Sequence, residues 1–178
     1  MPRLRPAKCY RNLERPYTRK SRFKKKNYIR GGVPHLRVKL FVTGNKKGEF
    51  DTCLLLKSEI NVQVRDVALE AARLAVTRYL NKRAGKGSFC LIIRKYPHHV
   101  LRWNPLATGA GADRFQKGMK LAYGKPIGIA AQVFEGDVVM ELWVENKNAN
   151  LAKRALKLAA MKMPGKYSII ISSQPSQQ

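Results

Sequence analysis

The sequence predicts an α+β fold: a single-domain sandwich of two helices on a mostly antiparallel or mixed sheet, with a basic extended N-terminal arm and a long basic, glycine-rich loop. Three observations carry this reading. Six short stretches are apolar by alternation or by continuous run and end in turn residues. Two longer stretches repeat their apolar residues at helical spacing. The elements then follow the order strand, strand, helix, strand on each side of the basic loop, and two such halves let both helices cover one face of a sheet. A chain of 178 residues suits one domain plus an extension. The expected boundaries are an arm over 1–33, the sandwich over 34–172 with the loop 97–128 projecting from it, and a polar tail over 173–178.

Leu36 to Val42 alternates as a half-buried strand, and Gly44 to Gly48 reads as a turn. Glu49 to Lys57 returns as its antiparallel partner. Val64, Ala68, Ala72, Ala75, Val76 and Tyr79 form one stripe with Leu69 and Leu80 beside it, which predicts a helix from Arg65 to Arg83. Asp66 suits its first turn, Arg78, Lys82 and Arg83 its last turns, and Gly85 its stop. Ser88 to Arg94 is a strand. Ile129 to Phe134 and Val138 to Val144 are two more, turned at Glu135-Gly-Asp137. Asn148 caps a second helix that buries Leu151, Ala155, Leu158 and Ala159 and stops at Pro164-Gly165. Tyr167 to Ile171 closes the domain.

Charge dominates the functional reading. Lys plus Arg number 36 against 11 Asp plus Glu, a net charge of +25. Internal pairing cannot neutralise that excess, so the molecule needs an external polyanion, and nucleic acid fits better than an anionic membrane. No stretch reaches the roughly 18 apolar residues of a spanning helix, and no apolar face lies opposite the cations. The first residues lack an apolar secretion core, which points to a cytoplasmic protein.

The cations concentrate in two places. Within residues 1–30 there are twelve, opposed only by Glu14. With few apolar residues, the arm cannot offset its own ordering entropy, so it is expected to order on its partner. Tyr10, Tyr17, Phe23 and Tyr28 stand among these charges, where aromatic rings can stack on unpaired bases. Residues 97–128 hold the second concentration: Arg102, Arg114, Lys117, Lys120 and Lys125 against Asp113 alone. Gly109, Gly111, Gly118 and Gly124 permit close backbone approach, and Trp103, Leu106, Phe115 and Tyr123 argue for an ordered segment. Six of the acids (Glu49, Asp51, Glu59, Glu135, Asp137 and Glu141) lie in or beside strands outside the most basic interval, so one side should be strongly positive and another nearly neutral.

Catalytic constellations are missing. Acid/base chemistry needs converging carboxylates, and Asp113 is alone in its loop. No nucleophile elbow surrounds any serine. Cys9, Cys53 and Cys90 are odd in number and far apart, as expected of reduced thiols rather than of a disulfide framework or zinc knuckle. His98-His99 lacks a third ligand nearby and adjacent side chains point apart, which leaves packing, or contact with phosphate or a base, ahead of metal binding. Gly109-Ala-Gly-Ala-Asp113 lacks the ending of an NTPase loop, although its bare amides with Arg114 and Lys117 can hold polynucleotide phosphates. No cofactor or metal is expected. An RNA-modifying enzyme with a basic groove and a DNA-compacting architectural protein remain as alternative readings.

A set of longer motifs resembles one family. Arg5-Pro-Ala-Lys-Cys-Tyr-Arg11, Tyr17-Thr-Arg-Lys-Ser-Arg-Phe23, Gly32-Val-Pro34, Ala68-Leu-Glu-Ala-Ala-Arg73, and Gly109-Ala-Gly-Ala-Asp-Arg-Phe-Gln-Lys-Gly-Met119 followed by Tyr123-Gly-Lys-Pro-Ile-Gly128 are similar to the universal large-subunit ribosomal protein sixteen family, in its archaeal and eukaryotic "ten-e" branch. The resemblance covers roughly Arg5 to Tyr167. It implies a non-catalytic ribosomal α+β sandwich that binds large-subunit rRNA near 5S rRNA, contacts neighbouring ribosomal proteins, and helps shape the groove receiving tRNA near the peptidyl transferase centre. By residue match, the rRNA-binding set would be Arg3, Arg5, Lys8, Arg11, Arg15, Tyr17, Arg19, Lys20, Arg22, Lys24, Lys25 and Arg30, with Arg94, Lys95 and His99. The loop of the tRNA groove would be carried by Arg102, Trp103, Asn104, Gly109, Gly111, Arg114, Lys117, Gly118, Lys120 and Lys125.

Overall fold

A computed structural model of the chain describes residues 4–29, 31–104, 109–110 and 124–172. Its elements in order are β1 (Val42–Gly44), β2 (Thr52–Ser58), β3 (Val62–Arg65), α1 (Asp66–Arg83), β4 (Phe89–Ile93), β5 (His99–Trp103), β6 (Lys125–Val133), β7 (Val138–Val144), α2 (Ala149–Ala160) and β8 (Tyr167–Ser172). The strands form two sheets, one of five strands in the order β1-β4-β7-β2-β8 and one of three in the order β3-β6-β5. Every pairing is antiparallel. The α+β class is as expected, but the one sheet foreseen is split in two.

Register decides which residues enter the core. Leu91, Leu142, Leu54 and Ile171 are cross-strand neighbours, as are Ile93, Met140, Leu56 and Ile169. Together these rows, except for the exposed Ile171 at the sheet edge, make the inner face of the large sheet. They pack with Leu69, Ala72, Val76 and Leu80 of α1, Ala152, Ala155, Leu156 and Ala159 of α2, and Val62, Val64, Ala131 and Val133 of the small sheet. The alternate row, Cys90, Trp143 and Cys53, lies on the other face. Cys53 and Cys90 are separated by the whole of β7, a gap of about 10 Å at ordinary strand spacing, too wide for a disulfide. Both are free thiols, and burial pushes Cys53 up to about 11, so neither is a poised nucleophile.

Several elements differ from expectation for identifiable reasons. Residues 36–40 are extended but belong to no strand. The Arg37 amide donates to Asp66 Oδ2 at 3.1 Å and the Lys39 amide to Glu70 Oε2 at 3.4 Å, so carboxylates on α1 take the place of a partner strand. Val38 is still buried, as the alternation required. The short β1 pairs with β4, whereas β2 pairs with β7 and β8 rather than with β1. Val64 lies in β3 opposite Ala131, ahead of the helix stripe to which its spacing assigned it. The helix itself starts at Asp66, whose Oδ1 accepts from the Val67 amide at 2.8 Å. The second helix ends at Ala160, short of Pro164, and Asn148 occupies its cap position without a side-chain cap bond.

The most consequential difference concerns the basic loop. Residues 99–103 form β5, and β6 begins at Lys125, so both ends of the segment are sheet. Trp103 pairs with Lys125 across the hairpin. Gly124 makes this possible: a Cβ there would sit 2.8 Å from the Trp103 carbonyl carbon, too close for any side chain.

Candidate nucleic-acid interface

The arm is mounted on the small sheet through its backbone. Tyr10 is buried with Leu101 and Ala130, and Ile29 with Val100 and Ile129. The Gln63 side chain donates to the Tyr10 carbonyl at 3.0 Å, and its backbone amide donates to the Arg11 carbonyl at 2.9 Å. Gln132 donates to the Glu14 carbonyl at 2.8 Å, Val100 to the Tyr17 carbonyl at 3.1 Å, and Arg65 to the Arg5 carbonyl at 3.3 Å. These donors spend little of the arm's charge, because they bind its carbonyls. Arg5, Lys8, Arg11, Arg15, Arg19, Lys20, Arg22, Lys24, Lys25 and Lys26 are all exposed.

The arm turns back on itself after residue 19. The Tyr28 amide donates to the Arg19 carbonyl at 3.2 Å, and the Tyr17 hydroxyl donates to the Tyr28 carbonyl. Arg19 lies over the Tyr28 ring at 5.0 Å and Lys26 over the Phe23 ring at 5.6 Å. Gly31 and Gly32 follow with φ of 83° and 84°, a left-handed pair that β-carbon-bearing residues avoid. A concave groove of about 570 Å³ opens here, lined by Lys20, Ser21, Arg22, Asn27, Ile29, Gly31, Gly32 and Val33. Two cations and two flexible glycines at one concavity suit a phosphate.

His99 was assigned to RNA contact, but its position gives it another task. It is 3% exposed, and its Nδ1 accepts the Tyr17 amide at 3.0 Å, so it fastens the arm to β5 from the inside. Burial holds its imidazole below the usual histidine range, Glu14 pulls the other way, and Arg102 adds to the depression. The unfolded chain therefore takes up this proton first. The contribution to stability is whole above about pH 6.5 and is lost as pH falls below it. Protonation also removes the acceptor for Tyr17. On acidification from pH 7.5 to 5.5 the wild type should lose about 1 kcal/mol, the worth of one such hydrogen bond, beyond any loss in His99→Gln. Parallel melting curves in the two buffers measure this, and identical pH responses would contradict it.

The other assigned residues fall into three groups. Arg102 sits on β5 with its guanidinium 4.0 Å from the Tyr17 ring centre, joining the loop's root to the arm. Trp103 and Asn104 are half-buried beside it, while Gly109 and Lys125 are exposed. Arg94 and Lys95 stand apart from the arm in ion pairs, Arg94 with Glu141 at 2.7 Å and Lys95 with Asp137 at 2.5 Å. Arg3, Arg30, Gly111, Arg114, Lys117, Gly118 and Lys120 lie outside the described residues. Sequence reasoning missed Gln63 and Gln132 as anchors of the arm, since a lone glutamine in a strand carries no signal of what its amide will meet.

Among the described residues no group of three or more His, Cys, Asp or Glu could hold a metal ion, and no helix is long and apolar enough to cross a membrane. His98 and His99 do point apart: the first is exposed, the second buried.

Comparison with known proteins identifies the scaffold. The model of the family described as ribosomal protein L16p/L10e matches residues 14–170. The chain is 45% identical over 167 residues to the large ribosomal subunit protein uL16 of Archaeoglobus fulgidus, covering 94% of this chain and 92% of that one. It is 43% identical over 173 residues to the protein of the same name from Sulfolobus acidocaldarius, with 96% and 94% covered. A docked arm dense in exposed cations, a basic segment between the paired strands β5 and β6, and a match along nearly the whole length lead to one conclusion: the chain belongs to the ribosomal protein L16p/L10e family and is a structural constituent of the ribosome, not an enzyme.

Proposed function

We propose that the chain binds large-subunit rRNA, in the vicinity of 5S rRNA, and helps form the groove that receives tRNA near the peptidyl transferase centre of the cytoplasmic ribosome, alongside neighbouring ribosomal proteins. The observation that carries the reading is the division of labour within the arm. Its carbonyls and apolar side chains are held by the small sheet, and its ten described cations from Arg5 to Lys26 face solvent. Such an array is preorganised for phosphates, so less ordering entropy opposes binding. The names of the relatives, large ribosomal subunit protein, support rRNA as the polyanion.

The tRNA-facing role is assigned to the loop between β5 and β6. Arg102, Trp103 and Lys125 stand at its root on paired strands, which gives the intervening basic segment a firm base. Specificity should come from RNA shape and splayed bases rather than from a base code, because side chains cannot read the deep groove of A-form RNA.

A competition assay tests the reading against DNA compaction. Folded large-subunit rRNA fragments should displace a labelled rRNA fragment at least ten times more effectively than duplex DNA of equal length, an expectation of about 1.4 kcal/mol. Equal displacement would favour a general polyanion binder.

A further inference from the structure

Between β4 and β5 the chain carries two rings, next to Phe41 ahead of β1, that the arm and the loop leave unexplained. Phe41 and Tyr96 stack with centroids 5.2 Å apart and planes 18° apart, and Tyr96 meets His98 at 4.5 Å and 43°. A ladder therefore runs from half-buried Phe41, through Tyr96 at 48% exposed, to exposed His98. Leaving half of a tyrosine and an exposed imidazole beside it forgoes apolar burial that a fold would otherwise use.

The ladder is firmly held. The Ile93 amide donates to the Phe41 carbonyl at 2.8 Å and the Arg94 amide to the Val139 carbonyl at 3.0 Å. On either side of His98, Pro97 is buried and restricts φ, and His99 is locked inside by Tyr17. His98 is thus turned outward on a rigid support.

Local charge decides what could bind. The two preceding cations are already paired, Arg94 with Glu141 and Lys95 with Asp137, so a phosphate gains little here. What the site offers is ring surface. On the arm, by contrast, the Tyr28 and Phe23 rings already have cations over them. An exposed ring tilted against a stacked pair, on a molecule of charge +25, fits an unpaired nucleobase as the next ring of the series.

We propose that Phe41, Tyr96 and His98 form a stacking platform for one unpaired base of the bound RNA, with His98 touching the base and the other two rings positioning it. The site rests on the rRNA-binding reading above. Stacking is tolerant of base identity, because every base presents a π-face.

The test uses the full chain and a short single-stranded oligoadenylate carrying 2-aminopurine, titrated at several salt concentrations. His98→Ala and Tyr96→Leu should weaken binding and aminopurine quenching by about 5- to 100-fold, the range found for loss of one stacked base, while the salt slope stays that of the wild type. His98→Phe, which keeps a ring, should restore affinity to within about twofold. His98 is exposed, so its substitution does not threaten the fold. Wild-type affinity in His98→Ala, or a loss seen only as a shallower salt slope, would overturn the site while leaving rRNA binding intact. A wild-type chain without salt-dependent RNA binding would overturn the underlying reading, and this site with it.

Discussion

Excising residues 104–118 and closing the hairpin with a short turn should leave the domain folded and weaken tRNA binding by subunits carrying the variant about 100-fold. The structural half of this expectation rests on β5 and β6. Their pairing runs from His99 opposite Ala130 to Trp103 opposite Lys125, so the strand ends already lie side by side. Among the described residues, the large core cluster draws on none from β5. Melting should therefore shift by no more than a few degrees. The functional half rests on charge. The excision removes Arg114 and Lys117, and two charge-assisted contacts at about 1.5 kcal/mol each amount to about two decades of affinity. Filter binding of tRNA to reconstituted subunits measures the effect. Unchanged affinity would remove the loop from the mechanism.

What the sequence reveals depends on how local the deciding contact is. The helix from Asp66 to Arg83 was legible because its apolar period, acidic start and basic end all lie within its own residues. Val138 to Val144 was read with its true limits for the same reason. Residues 36–40 were misread because the alternation of Leu36 and Val38 reports burial, not what the backbone amides will meet. Here they met Asp66 and Glu70, about thirty residues away. Splitting the strands between two sheets was equally invisible, since β3 is four residues long and its Val64 and Arg65 fit the helix pattern.

The candidate site divides along the same line. The arm's cations were legible from composition, yet their mounting was not, because it depends on Gln63, Gln132 and His99 meeting arm backbone across 53 to 118 positions. Adjacent histidines carry the same chemistry in sequence, and only the fold places His99, the first residue of β5, inside and His98, just before the strand, on the surface. Phe41 and Tyr96 had no reason to be grouped until the Ile93 amide bonded to the Phe41 carbonyl and brought them side by side.

The arm and its neighbouring cations are expected to neutralise phosphates of folded rRNA, and a salt titration of that binding measures how many. If about eight phosphates are neutralised, log K should fall against log salt with a slope near −6 to −7, a loss of about 10⁴-fold between 50 and 200 mM salt. Replacing Arg5, Arg11, Arg15, Arg19 and Lys20 with Gln should reduce the steepness by about 4, since each lost phosphate contact removes a little under one. These five side chains are exposed, so the domain should remain folded. Fluorescence anisotropy with a large-subunit rRNA fragment gives both slopes. A steep wild-type slope that flattens in the five-site variant is the result expected. A slope near zero, or one indifferent to the substitutions, would contradict the account.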